Sequence, residues 1–128
     1  MSALYLYVNA LLCALFAVWC TLKMKSAAHS LGYESLTKSG ESEYLVMYGG
    51  LQLGLAIVFY AFASLPLLNR LGVRFSLALY LPIVVYRLSS IVLRGPVQLM
   101  TRAVAALEFT LLAAAVALYF AERAELVR

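Results

Sequence analysis

An all-α integral membrane protein, a four-helix bundle with antiparallel neighbours, is the fold class this sequence predicts. Three observations carry that expectation. Of 128 residues, 65% are hydrophobic and only 12% charged, whereas a soluble domain carries about a quarter charged residues. The apolar residues gather in four long runs, each near the roughly 20 residues needed to cross a hydrocarbon core. The runs are also longer and more continuously apolar than the alternating segments of about ten residues expected of barrel strands.

The first helix is expected over 3–22, uncharged and closed by Lys23 and Lys25. Ala17-Val18-Trp19-Cys20 faintly resembles a lipoprotein cleavage site, but bulky Trp19 stands where a small residue is wanted. No basic leader region precedes a short apolar core, so the segment reads as a retained helix. Residues 23–43 read as a polar loop with His29, Gly32, Gly40 and several serines. The second helix is expected over 44–69, ending at Arg70-Leu71-Gly72-Val73-Arg74, a turn with two interfacial cations. The third, 75–94, is interrupted only by Arg87 and stops at Arg94-Gly95-Pro96, since Gly and Pro punctuate elements strongly. The fourth, 98–121, is interrupted only by Glu108. The whole of 1–128 forms one domain, without repeats.

Four crossings place both ends of the chain on the side of the Arg70–Arg74 turn. Lys23 and Lys25 lean the long loop toward the cytoplasm, although the cations divide almost evenly between the two sides. The net charge of +4 comes from residues flanking the runs. No basic stripe is interleaved with aromatics, which argues for a lipid bilayer as partner and against nucleic acid. Cys13 and Cys20 lie roughly 10 Å apart along one helix, too far for a disulfide. They read as small buried side chains and say nothing of redox compartment. His29 has no second ligand at metal spacing, and no cofactor motif is present.

Arg87 and Glu108 are the residues that apolar helices tolerate least. A charge at such depth costs several kcal/mol even on lenient scales, so it faces the bundle interior and seeks a partner. Counted from the shared Gly95-Pro96 turn, Arg87 lies about 12 Å along one helix and Glu108 about 15–18 Å along the next, within reach of an ion pair. Tyr80, Arg87, Ser90 and Arg94 share one stripe of the third helix; Thr101, Glu108, Ala115, Tyr119 and Glu122 share one of the fourth. Pro82 frees a backbone carbonyl near this level and should bend the third helix. Measured from the long-loop side, Gln52 and Cys13 sit about 13 Å deep, with Tyr48 one turn above Gln52 and Asn9 deeper, in line with Tyr5. Gln52, Arg87 and Glu108 are therefore expected to meet in one hydrogen-bonded cluster. The candidate ligand-binding set is Tyr48, Gln52, Tyr80, Arg87, Ser90 and Glu108. Gly50 and Gly54 have the G-x-x-x-G spacing that lets helices approach closely, either within the bundle or between copies in a homo-oligomer. Tyr5, Tyr7, Tyr44, Tyr48 and Tyr119 lie mostly near run ends, where interfacial anchors belong.

The segment Glu43-Tyr44-Leu45-Val46-Met47-Tyr48-Gly49-Gly50-Leu51-Gln52-Leu53-Gly54, with Arg87-Leu88-Ser89, Gly95-Pro96 and Glu108, resembles a family of small four-helix bacterial integral membrane proteins. That family carries a Y-G-G-x-Q signature in its second helix. The resemblance implies a bacterial inner membrane location and makes Glu43, Tyr48, Gln52, Arg87 and Glu108 the polar signature residues. Leu45, Tyr86 and Arg94 depart from it, standing where an Arg, a Gly and an acidic residue are expected. No activity comes with the resemblance.

Several functions remain open. The polar layer, walled by Leu, Phe and Tyr, suits the polar end of an amphiphilic or apolar ligand, or a partner membrane protein. An intramembrane enzyme would use Glu108 as general acid or base, with Arg87 stabilising negative charge. A proton-coupled transporter subunit would need a dimer. A purely structural bundle would use the ion pair to fix helix register.

Overall fold

The computed structural model describes residues 1–126, and helices are the only regular structure among them. We number the helices α1 (Ser2–Leu22), α2 (Met24–Ser30), α3 (Lys38–Ser64), α4 (Pro66–Arg94) and α5 (Leu99–Leu126). Four of them, all but α2, are long and apolar enough to cross a membrane.

The helix boundaries depart from the expected ones at three places. First, residues 23–43 are not all loop. Helix α2 follows α1 after Lys23, and α3 begins at Lys38, where the Thr37 side chain accepts a hydrogen bond from the Gly40 N–H at 3.1 Å. This N-cap satisfies one of the free donors of the first turn, and Glu41 adds a favourable charge there. Second, α3 stops at Ser64 rather than at residue 69, and the Arg70–Arg74 segment is helix rather than turn. Pro66 is the cause. It pushes Leu65 into an extended conformation (φ −111°, ψ 105°) and serves as an opening residue of α4. Asn69 completes the junction, its Nδ2 donating to the Phe62 and Ala63 carbonyls at 2.7 and 3.3 Å. Third, the last helix begins at Leu99 and continues beyond residue 121. The Gly95 turn is as expected, with φ of 88° at Gly95, a conformation that favours glycine.

Helix α1 lies along α3, and α4 lies along α5. The two pairs join through a core of Tyr5, Leu6, Ala10 and Cys13 from α1, Ala56, Phe59 and Ala63 from α3, Tyr80 from α4, and Leu111 and Ala115 from α5. Gly72 is what permits the close approach. A Cβ there would lie 2.7 Å from Leu6 and 2.8 Å from Phe62. Nearby, Phe75 meets Phe59 and Phe62 with ring centroids 5.5 and 5.6 Å apart. Ser2 Oγ donates to Glu122 Oε1 at 2.6 Å, which puts the start of α1 beside the end of α5.

A second, smaller core lies toward the long connection. It gathers Cys20, Ala27, Ala28 and Tyr44, with Phe16, Trp19, Leu36 and Tyr48 packed around it. All of these residues belong to α1, α2, α3 and the segment between α2 and α3. Outside the cores, large apolar side chains such as Leu11, Leu15, Ile57, Leu81, Val85, Phe109 and Phe120 are exposed along whole helix faces. So extended an apolar surface is one that hydrocarbon covers, since water-soluble monomers expose only limited patches.

Candidate functional site

Arg87 and Glu108 are brought together because α4 and α5 are antiparallel and joined by a short turn. Arg87 Nε donates to Glu108 Oε2 at 2.8 Å, and Nη2 donates to Oε1 at 2.7 Å. Both carboxylate oxygens and two of the guanidinium's five N–H donors are thereby engaged, in the paired fork geometry that makes such contacts strong. No other side-chain hydrogen bond reaches the pair among the described residues. The side chains remain 32% and 15% exposed.

This exposure belongs to a gradient. Along the inner face of α4, Val73 and Ser76 are fully enclosed and Tyr80 and Val84 nearly so, while Arg87 and Ile91 are only partly covered. On α5, Leu111 and Ala115 are buried, whereas Glu108, Val104 and Thr101 are partly exposed. Neither core includes any residue of 85–107. The α4–α5 hairpin is thus packed against α1 and α3 at one end only, and the ion pair sits where that packing gives out.

The other candidate residues divide. Gln52 is partly exposed, and its amide makes no hydrogen bond to a described residue; the expected three-way cluster with Arg87 and Glu108 does not form. Tyr48, one turn away, shares a 3.0 Å hydrogen bond with the Tyr33 hydroxyl and stacks on Tyr44 at 4.7 Å. Residues 45–50 form a π-helical turn, whose extra residue rotates the remainder of α3 by roughly 100° relative to an unbroken α-helix. Tyr48 and Gln52 nevertheless keep to one partly covered stripe of α3, continued by Ala56 and Phe59, as their four-residue spacing predicts. Ser90 turns back on its own helix, donating to the Arg87 carbonyl at 2.9 Å, and is exposed.

Tyr80 belongs to a different layer. Its hydroxyl donates to Asn9 Oδ1 at 2.6 Å, Asn9 Nδ2 donates to the Tyr5 carbonyl at 2.8 Å, and the Tyr5 hydroxyl donates to the Leu111 carbonyl at 3.0 Å. Asn9 and Ser76 are fully buried. This network links α1, α4 and α5 and leaves Tyr80 unavailable to a ligand beside Arg87. Asn9 is the sole amide of the first apolar run, and such a group in an apolar helix needs a partner. That is the signal by which the network is legible in the sequence.

Gly50 and Gly54 pack against nothing among the described residues. A Cβ at either position would meet open space, so the expectation of packing within the bundle is corrected. The close approach on α3 is made by Gly49, where a Cβ would lie 2.9 Å from Thr21 Oγ1. Gly49 lies three residues before the partly covered Gln52 and so shares its face, while Gly50 and Gly54, two residues to either side, fall on the opposite one. Tyr44, almost completely buried against Cys20, has a hydroxyl without a hydrogen-bond partner among the described residues. His29 lines a cavity of about 360 Å³ with Lys25, Tyr33, Glu34 and Glu41 at the long connection. No group of three metal-ligating side chains occurs among the described residues.

No family model, curated protein or solved structure matches this chain, so the resemblance to the Y-G-G-x-Q family rests on its own residues.

Proposed function

We propose that this chain is an integral membrane protein, placed in a bacterial inner membrane by its resemblance, that binds the polar end of an amphiphile at the Arg87–Glu108 pair. The observation that carries the reading is the unfinished coordination of Arg87. Its guanidinium lies within a helix long and apolar enough to span a membrane, a third exposed, with donors left over after Glu108 is served. In hydrocarbon an unsatisfied donor costs several kcal/mol, so an acceptor from outside the chain is favoured there. The uncovered stretch of α4 and α5 supplies apolar walls for the rest of such a molecule.

The rival readings have less support. Both oxygens of Glu108 already accept one hydrogen bond each from Arg87, so an acid–base or relay role for this carboxylate would have to compete with that pairing. A purely structural role is favoured by the fork geometry but gives no account of the exposure. A partner membrane helix supplying the acceptor is the alternative occupant. Native mass spectrometry of the protein purified in mild detergent decides among them. The expected result is a co-purifying amphiphile that is lost when Arg87→Met and Glu108→Leu are combined, with helicity retained. A wild-type protein that carries and takes up no amphiphile would sink the reading.

A further inference from the structure

Resting on that reading, we infer that the polar end of the bound amphiphile is uncharged and oxygen-bearing, a hydroxyl or carbonyl rather than a phosphate or carboxylate. Glu108 meets the guanidinium through both oxygens, so the site is neutral before anything binds. A second anion would share one cation with Glu108 at close range. In a low-dielectric setting the repulsion between like charges is large, and nothing in the site offsets it. A carbonyl or hydroxyl oxygen brings no net charge and still accepts from the N–H donors that Glu108 leaves free.

Two other cations of the hairpin support the assignment by their position. Arg94 and Arg102 flank the Gly95 turn and are exposed, and Arg102 Nε donates to the Val97 carbonyl at 3.3 Å. Arg94 lies roughly 10 Å from Arg87 by the helical rise. A charged headgroup is served at that end, at the water boundary, without descending to Arg87. Leu88 and Ile91 on α4 and Leu107 on α5 lie within a turn of the pair along their helices, are at least partly exposed, and match a hydrocarbon body.

Two probes with identical acyl chains isolate the charge: dioleoylglycerol and dioleoylphosphatidate, each titrated into the purified protein and read by native mass spectrometry. Wild-type protein is expected to bind the diacylglycerol at least about tenfold more tightly. Glu108→Gln, which leaves the guanidinium charge open, should reverse the order. Preference of the wild type for phosphatidate would overturn the inference while leaving an amphiphile site in place, as would an unchanged preference in folded Glu108→Gln. Binding of neither probe, with no co-purifying amphiphile, would instead remove the site itself. Should Glu108→Gln fail to fold, oleyl alcohol against oleate on the wild-type protein makes the same decision, with stronger oleate binding counting against the inference.

Discussion

Tyr80 and Arg87 share one face of α4, yet they live in different surroundings. Tyr80 is enclosed by a core drawn from α1, α3, α4 and α5, and its hydroxyl ends in a chain of hydrogen bonds through Asn9. Arg87 is hydrogen-bonded by α5 alone, through Glu108, and belongs to neither core, though Tyr48, packed on the second, is close enough to interact with it electrostatically. The first layer fixes how the two helix pairs sit together. The second is made within one hairpin and forms no hydrogen bond to α1 or α3 among the described residues. A buried polar residue in a membrane helix is therefore not by itself a mark of function; what separates these two is whether the chain finishes their hydrogen bonding.

The contrast can be broken by mutation. The largest effect is expected from Glu108→Leu, which strips Arg87 of its counter-charge and should cost about 3–5 kcal/mol of stability, measured by reversible unfolding in detergent or bilayer mimics. A loss below about 1 kcal/mol would mean that solvent or lipid already satisfies Arg87. Next comes Gly72→Leu in the enclosed region, expected to cost about 1–3 kcal/mol through overpacking, because Leu6 and Phe62 already occupy the space a side chain needs. Tyr80→Phe should cost roughly 0.6–1.7 kcal/mol, the range for interhelical hydrogen bonds in membranes. The combined Arg87→Met and Glu108→Leu change should leave stability within about 1 kcal/mol or raise it. A large loss there would make the pair structural and erase the distinction. Smallest of all, Gly50→Ala and Gly54→Ala should shift stability by less than about 0.5 kcal/mol, since both positions face open space; a change in oligomeric state on size-exclusion with light scattering would reveal a contact between copies.

The fold is largely legible in the sequence because membrane crossing constrains length and hydropathy, and four runs of the right length admit few arrangements. Depth counting from the Gly95 turn also places Arg87 and Glu108 at one level, where the structure puts them in contact. What misleads is local. Arg70 and Arg74 look like the edge of the membrane, but charge marks an interface without ending a helix, and Pro66 is the residue that sets the break. Counting puts Gln52 on the covered side of α3 and the two glycines opposite it, as found, but it does not give the distance to the neighbouring helix, on which a hydrogen bond between Gln52 and the pair depends. The stripe on α4 pairs Tyr80 with Arg87, whereas Asn9 on α1 competes for it, a choice that needs the rotation of both helices.

The separation between Arg87 and Glu108, only 21 residues along the chain and across one tight turn, bears on how the protein reaches the bilayer. A helix carrying a lone arginine partitions poorly from the translocation machinery into lipid. Here the opposite charge comes in the very next helix, so the two segments can leave together as an electrically balanced hairpin. The hairpin thus carries no unbalanced charge at that depth, and the Tyr80–Asn9 bond is left to form as the two helix pairs meet.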